Sequence, residues 1–591
     1  MASPTRLSAL FSEGVERIPL PFAAAIRRTF KNGYTRDDLR ADALAGVVVA
    51  IVALPLSMAL AIAVGVPPQH GLYTAIIAGV VVALTGGSKF QITGPTAAFV
   101  VILAPIVTKH GLSGLLVAGL MAGVLLVAMG MARFGRLIQF IPHPVTTGFT
   151  AGIAVVIATL QLKDALGLPI AKWPESYVEK VAVIGEEIAH GHLNLGELIV
   201  TVTTLVLLLA IPKVTKRVPA PLIAIVAVSA GAVALRHVVP TFDVATIGSR
   251  FHTIIDGHTV AGIPPTPPKL VLPWHEGGIS MATLRELFPS AFAIAMLGAI
   301  ESLLSAVIAD GLTGKRHDPN SELVGLGLGN MIVPFFGGIA ATGALARTAT
   351  NIRSGGRSPF ASVIHSVLVL LAMVLLAPLV AYIPMAALAA LLLLVAWNMS
   401  DMKHFGHIVR VAPRSDVVVL VACFLLTVIF DMVVSVTAGV VMAALLFMRR
   451  MADLTSTRTV LDRGLSETDR ELPPGVALYE IAGPLFFGAA EKAMGALDSV
   501  DRGARVVIVD LSRVPTIDAT GLVALESALG KLGAAKRKIV IAGPLPEPKR
   551  VWEKAHIADR ATVTETRERA IAVAAELAGE LPPNSRRPAT A

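Results

Sequence analysis

Two ionisable side chains stand where such groups are expensive. Glu301 sits among Ala299, Ile300, Leu303 and Leu304, and Arg347 follows the uncharged run Thr342-Gly343-Ala344-Leu345-Ala346. A charge in apolar surroundings is costly, so it is kept for a partner, a proton or a charged ligand. A guanidinium suits an anion, and a carboxyl that can take up a proton suits proton coupling. Two short segments begin with residues fitted to helix starts: Gly94-Pro95-Thr96-Ala97 and Thr342-Gly343-Ala344. A helix start presents free N–H groups and about half a positive charge, so two starts facing one another favour an anion. Hydroxyls of Thr96, Thr342 and Ser302 are further candidates, although a hydroxyl at a helix start commonly caps the helix. Alternative readings stay open: Arg347 as a snorkelling side chain of an ordinary short helix, and Glu301 as a structural acid, hydrogen-bonded or paired with Arg347.

The elements that must carry these residues are apolar. The 591-residue chain is 54% hydrophobic, with a mean hydropathy of +0.73, more apolar side chain than a soluble domain encloses. Apolar segments near Ala43–Val64, Gly71–Leu84, Gly94–Val107, Leu112–Met131, Val145–Leu166, Leu198–Ile211 and Pro221–Leu235 form a first set of seven. A second set lies near Leu287–Ile308, Val324–Phe336, Thr342–Ile352, Pro359–Leu379, Met385–Ala396, Val417–Phe430 and Val433–Phe447. The segments at Gly94 and Thr342 are too short for full spans and are each the third of their set. That pattern is expected of inverted repeats that bring two interrupted helices together at the bilayer midplane.

Charge placement orients the bundle. Lys89, Arg133, Arg136, Lys213, Lys315, Arg316, Arg353, Arg357, Lys403, Arg410 and Arg414 fall in alternate loops, which places those loops and both termini in the cytoplasm. A net charge of +9 is therefore read as membrane topology, not as nucleic-acid binding. One cysteine, Cys423, excludes a disulfide framework, no His or acidic spacing suggests a metal, and no cofactor is expected. The first forty residues are polar and basic, unlike a cleaved signal. Asp310 is expected to pair with Lys315, His143 to lie in a cytoplasmic loop, and His365 to be a hydrogen-bonded core histidine. Residues 240–286 read as an extended outer loop. No nucleophile, base and orienting group form a set, so an enzyme is not expected.

From about Gly475 the composition becomes that of a small α/β domain. Strand-like Val476–Ile481, Val506–Asp510 and Ile539–Ala542 alternate with helix-like Ala489–Ser499 and Thr520–Leu532.

These residues carry a resemblance. Gly94-Pro95-Thr96-Ala97-Ala98, Ala53-Leu54-Pro55 through Gly71-Leu72-Tyr73, and Ala344-Leu345-Ala346-Arg347-Thr348-Ala349-Thr350-Asn351 resemble the sulfate permease (SulP) family of anion transporters. Ala295–Leu304, Asn320–Gly325, Pro334–Gly338 and Val395–Ser400 are most similar to its bacterial four-carbon dicarboxylate permeases. Leu56 follows Pro55 where many members have a polar residue, a change the dicarboxylate subgroup shares. The resemblance implies an α-helical membrane protein of fourteen segments in seven-plus-seven inverted repeats, core and gate domains with two half-helices, and a homodimer. The candidate substrate-binding residues are Pro55, Gly94, Pro95, Thr96, Ala97, Ser302, Thr342, Gly343, Ala344 and Arg347, and Glu301 is the candidate for proton coupling. Asp510-Leu511-Ser512 and Ile517-Asp518-Ala519-Thr520-Gly521-Leu522 resemble the STAS domain. In its relatives a hydroxyl residue at the place of Thr520 is phosphorylated, although capping is the plainer role for Thr520; Asp518 and Thr520 are the regulatory candidates, on a surface for a cytoplasmic protein partner.

The expected layout is a cytoplasmic segment over 1–42, a transporter domain over 43–450, a linker over 451–474, a STAS domain over 475–577 and a disordered tail over 578–591. The expected function is proton-coupled uptake of four-carbon dicarboxylates such as succinate, fumarate and aspartate across a bacterial inner membrane by elevator-like alternating access. The alternatives are a sulfate or bicarbonate permease of the same fold, and a non-transporting membrane anchor for a STAS signalling module. A dianion moved against ~100 mV costs about 4.6 kcal/mol, so roughly two protons must accompany it to cancel the charge.

Overall fold

The computed structural model describes residues 22–136, 142–174, 176–215, 218–239, 242–255, 258–274, 278, 280–430, 432–454, 456–460, 472–486, 489–495 and 504–580. Residues 1–21 of the expected N-terminal segment, 455 and 461–471 of the expected linker and 581–591 of the expected tail lie outside the described residues, while residues 578–580, expected in the tail, end a helix. The chain divides into two units, residues 1–440 and 441–591, and the division falls inside the last apolar helix.

Helices of the first unit follow the apolar runs. They are α1 Ala24–Lys31, α2 Arg36–Val64, α3 Gln69–Thr85, α4 Ala97–Met131, α5 His143–Leu166, α6 Tyr177–Ala189, α7 Leu195–Val214, α8 Ala220–Val238 and α9 Ile247–Arg250. After a hairpin of β2 His252–Ile255 and β3 His258–Ala261 come α10 Met281–Thr313, α11 Pro319–Ile332, α12 Leu345–Arg353, α13 Phe360–Val380, α14 Met385–Ser400, α15 Met402–Val411, α16 Arg414–Ile429 and α17 Met432–Leu454. Nine helices are long and apolar enough to cross a bilayer among the described residues. Helix α4 is two helices joined at Gly111, whose φ of 66° breaks the turn; with that break counted, all fourteen expected segments fall on helices.

The packing repeats itself when each segment is exchanged for the one seven places on. Helix α2 packs on α13 as α10 packs on α4; α3 packs on α13 as α11 packs on α4; α7 packs on α14 as α16 packs on α5. Two short strands, β1 Thr93–Gly94 and β4 Thr342–Gly343, pair antiparallel, as equivalent segments related by a two-fold axis must. Glycines allow the closest crossing: a Cβ on Gly327 of α11 would lie 2.7 Å from the Gly123 carbonyl oxygen of α4, and one on Gly123 would lie 2.7 Å from the Gly327 carbonyl oxygen.

The second unit holds a five-stranded sheet, β5 Ser456–Val460, β6 Val476–Ala482, β7 Val506–Arg513, β8 Lys538–Ala542 and β9 Thr562–Thr564, in that spatial order. Only β5 runs antiparallel to its neighbour. Alternate residues face two layers. Tyr479, Ile481, Val507, Val509 and Ile541 pack with α18 Ala489–Gly495, α19 Ala519–Ala534 and α20 Pro546–Lys554, while Leu478, Val506, Ile508 and Val540 pack with α21 Arg567–Glu580. Strand β5 corrects the expected linker: its Thr457, Thr459 and Val460 are strand-favouring residues, and they extend the sheet by one edge. Helix α17 likewise runs four residues past the expected boundary at 450. Residues 496–499 of the expected first helix lie outside the described residues.

Candidate functional site

The two interrupted helices begin side by side. The α4 backbone turns into its helix at Thr96 (φ −126°, ψ 157°) and α12 does so at Ala344 (φ −89°, ψ 100°), and neither start is capped by a side chain. Their first N–H groups therefore keep the partial positive charge of an uncapped helix end. The strands just before them are in register, Thr93 opposite Gly343 and Gly94 opposite Thr342.

Helix α12 is placed by its own buried face. Arg347 donates from Nη2 to the Pro95 carbonyl at 2.9 Å, Thr348 Oγ1 accepts from the Ile92 N–H at 3.1 Å, and Asn351 donates to the Phe90 carbonyl at 2.8 Å. These positions, i, i+1 and i+4, share one side of a helix, so the pattern Arg-Thr-x-x-Asn clamps the 90–95 backbone. Arg347 is 1% exposed, and its Nε and Nη1 have no hydrogen-bond partner among the described residues. It is thus buried, and the snorkelling alternative does not hold.

Glu301 reaches the same place from α10. Thr96 donates to its Oε2 at 3.0 Å, so the Thr96 hydroxyl joins the carboxyl and leaves the helix start open. No ion pair joins Glu301 to Arg347 among the described residues; the guanidinium is spent on Pro95 instead. Ala97 is the first helical residue of α4, and Gly94 carries no side chain where a Cβ would lie 2.6 Å from Arg347 Nη1. Pro55 is buried inside α2, where its missing N–H leaves the Ile51 carbonyl without a helical partner.

Two hydroxyl candidates are turned elsewhere. Thr342 donates to the Gly298 carbonyl at 3.0 Å, and Ser302 accepts from Gln91 Nε2 at 2.5 Å and lies 3.4 Å from Glu322 Oε1. Ser302 thereby belongs to a buried network on the far side of the β1–β4 pair. Its centre is Glu322, which accepts from the Gly87 and Ser88 N–H groups and from Gln91, each at 2.8 Å. Asn330 holds both backbone groups of Ala341, at 2.8 and 2.9 Å. Sequence reasoning missed Gln91, Glu322 and Asn330; a buried acid in Asn320-Ser321-Glu322-Leu323 beside an apolar run was the available signal.

Other expectations change. Asp310 pairs with His317 Nδ1 at 2.7 Å, because the chain turns back after Gly314, while Lys315 lies 5.4 Å from the Phe90 ring centre. His365 is fully buried, yet neither ring nitrogen has a hydrogen-bond partner among the described residues, so it is not the hydrogen-bonded histidine expected. His143 is exposed and its ring meets that of His404 at 5.1 Å. In the second unit Asp518, not Thr520, caps α19, accepting from the Gly521 N–H at 2.7 Å; Thr520 is exposed in the first turn. No group of three or more His, Cys, Asp or Glu residues suited to a metal occurs among the described residues.

The sulfate permease family profile matches residues 39–423, and the STAS domain profile matches residues 468–570. The chain is 40% identical to a putative sulfate transporter of Bacillus subtilis over 88% of this chain and 94% of that protein. It is 29% identical to the bicarbonate transporter BicA of Picosynechococcus over 88% and 91% of the two chains. Among solved structures, the transmembrane domain of a cyanobacterial bicarbonate transporter BicA superposes with a TM-score of 0.58 at 26% identity, covering 70% of this chain and 98% of that one. The murine Slc26a9 anion transporter in its inward-facing state shares the fold, with a TM-score of 0.81 at 18% identity over 96% and 97% of the chains.

Proposed function

The chain belongs to the sulfate permease family and carries a C-terminal STAS domain, and from that premise we propose that it takes up a small anion together with protons, four-carbon dicarboxylates being the substrate class. One observation carries the reading: two uncapped helix starts, the buried Arg347 and the Thr96–Glu301 hydrogen bond converge on one place. The helix ends and the guanidinium supply positive potential for a carboxylate. Glu301, half-buried and hydrogen-bonded, has no basic partner among the described residues, and is a carboxyl that can change protonation without breaking an ion pair there. Gly94, Ala97 and Ala344 keep side-chain bulk low at the two helix starts, where backbone N–H groups would meet the anion. Sulfate or bicarbonate is the second reading, favoured by the names of the relatives just described. The distribution of Lys and Arg supports an inner-membrane protein with both termini in the cytoplasm, and the family supports a homodimer whose STAS domain meets a cytoplasmic partner.

Proteoliposomes loaded at a defined pH and given labelled succinate, sulfate or bicarbonate test the proposal. Each co-transported proton supports about tenfold accumulation per unit of pH gradient. Wild-type protein is expected to accumulate succinate in proportion to that gradient. Glu301→Gln, whose amide oxygen still accepts from Thr96, is expected to exchange substrate but to lose the gradient dependence. Gradient-driven accumulation by Glu301→Gln overturns the coupling role, uptake of sulfate or bicarbonate alone moves the assignment to the second reading, and no flux of any anion leaves a membrane anchor for a STAS module.

A further inference from the structure

Each repeat carries an extra helix between its fifth and sixth segments, and the two differ in charge. In the first repeat it is α6, with Glu179, Glu186 and Glu187 against Lys180 alone. In the second it is α15, Met402–Val411, with Lys403, His404, His407 and Arg410 and no acid within the helix. At thirteen and ten residues each is by itself too short to cross a bilayer; α15 continues the apolar stretch Met385–Val411 beyond Asp401, whose φ of 37° ends α14, and it has no buried residue.

The sides of α15 are unequal. At 100° per residue, Ile408, Phe405, Val409 and Met402 form one arc, and Arg410, Lys403, His407 and His404 form the other, with the exposed Val411 of the last turn falling between the two histidines. Phe405 lies against Phe424 of α16 with ring centres 5.7 Å apart, which fixes the rotation of the helix. That rotation leaves Met402 and Val409 exposed, at 55% and 41%, at the boundary with the basic arc. Both ends of α15 lead directly into apolar helices, α14 and α16, so the helix stands where a bilayer surface meets the protein. A short helix with an apolar edge for acyl chains and a basic edge, its adjoining acid Asp401 engaged as the N-cap on the His404 N–H, matches the interface of an anionic leaflet.

We propose that α15 is an interfacial helix that binds the headgroups of anionic phospholipids through Lys403 and Arg410, with Met402 and Val409 entering the acyl boundary. The occupant is the leaflet crossed by α14 and α16, on the side that the Lys- and Arg-rich loops mark. The acidic α6 is the matching helix of the opposite leaflet and makes no such contact. The site is separate from the anion pocket.

Full-length protein purified with a defined phosphatidylglycerol and phosphatidylcholine mixture, followed by native mass spectrometry of the retained lipids, tests the assignment. The wild type is expected to retain phosphatidylglycerol selectively, and the preference is expected to weaken as salt is raised. Removing both charges with Lys403→Gln and Arg410→Gln is expected to lower the retained ratio roughly 30-fold. Lys403→Arg with Arg410→Lys is expected to preserve it, and Lys180→Gln in α6 to leave it unchanged. An undiminished preference in the double glutamine variant overturns the proposal. So does a loss of thermal stability that is equal in the two lipids, because the charges would then serve a protein partner.

Discussion

The substitution Gly94→Ala tests the geometry of the pocket most directly. The added Cβ would lie 2.6 Å from Arg347 Nη1, closer than any unstrained contact. The guanidinium is the end of a flexible side chain, but Arg347 is 1% exposed and, among the described residues, its hydrogen bond runs to the adjacent Pro95 carbonyl at 2.9 Å. Moving it therefore forfeits a charged hydrogen bond worth about 1.5–3 kcal/mol. Keeping it imposes overpacking of about 1–3 kcal/mol. Either way the paired starts of α4 and α12 are displaced, so substrate affinity falls by about 10- to 100-fold while the bundle still folds, because the strain is confined to one contact. Initial uptake rates against substrate concentration, with thermal unfolding of the purified protein alongside, give the two numbers. An unchanged KM and unchanged unfolding temperature would refute the claim that Arg347 is held tightly between the half-helices.

Gly327→Ala at the α4–α11 crossing is expected to be worse for folding than for substrate affinity, since the Cβ meets backbone atoms of Gly123 and Val127 at 2.7 Å and backbone cannot rotate away. A well-folded variant at normal yield would contradict the close crossing. Tyr34 donates to Asp42, and its hydroxyl pKa is pushed up to about 12 by burial and by that carboxylate. A raised folded value means the contribution is complete below the unfolded value near 10 and disappears as pH rises through about 12. Thermal unfolding of Tyr34→Phe across pH 9 to 12 is accordingly expected to decline less steeply than that of the wild type; equal slopes would remove Tyr34 from the alkaline response.

Much of the membrane unit was legible because lipid imposes a simple length rule. Runs of apolar residues marked every span, and Gly94-Pro95-Thr96 and Thr342-Gly343 marked the two helices that stop halfway. Long-range partners were not legible. Nothing local says that Arg347 reaches Pro95, that Asn351 reaches Phe90, or that Ser302 turns away toward Gln91 and Glu322, since each contact joins residues more than 200 apart or depends on the side a helix presents. Asp310 was assigned Lys315 on sequence distance alone, and the tight turn at Gly314 brought His317 instead. Helices α6 and α15 escaped notice because a window sized for a bilayer averages away ten to thirteen amphipathic residues. Strand β5 was hidden for the opposite reason, five residues being too few for a period to emerge beside a long apolar helix.

The pairing of Thr93–Gly94 with Thr342–Gly343 limits how such a molecule can alternate between faces. Prying the two segments apart to release cargo would strip backbone donors and acceptors of their mates at a depth where no water waits to replace them. A motion that keeps the seam shut and shifts both walls together would spare those hydrogen bonds, which is what the elevator-like alternation expected from the sequence requires.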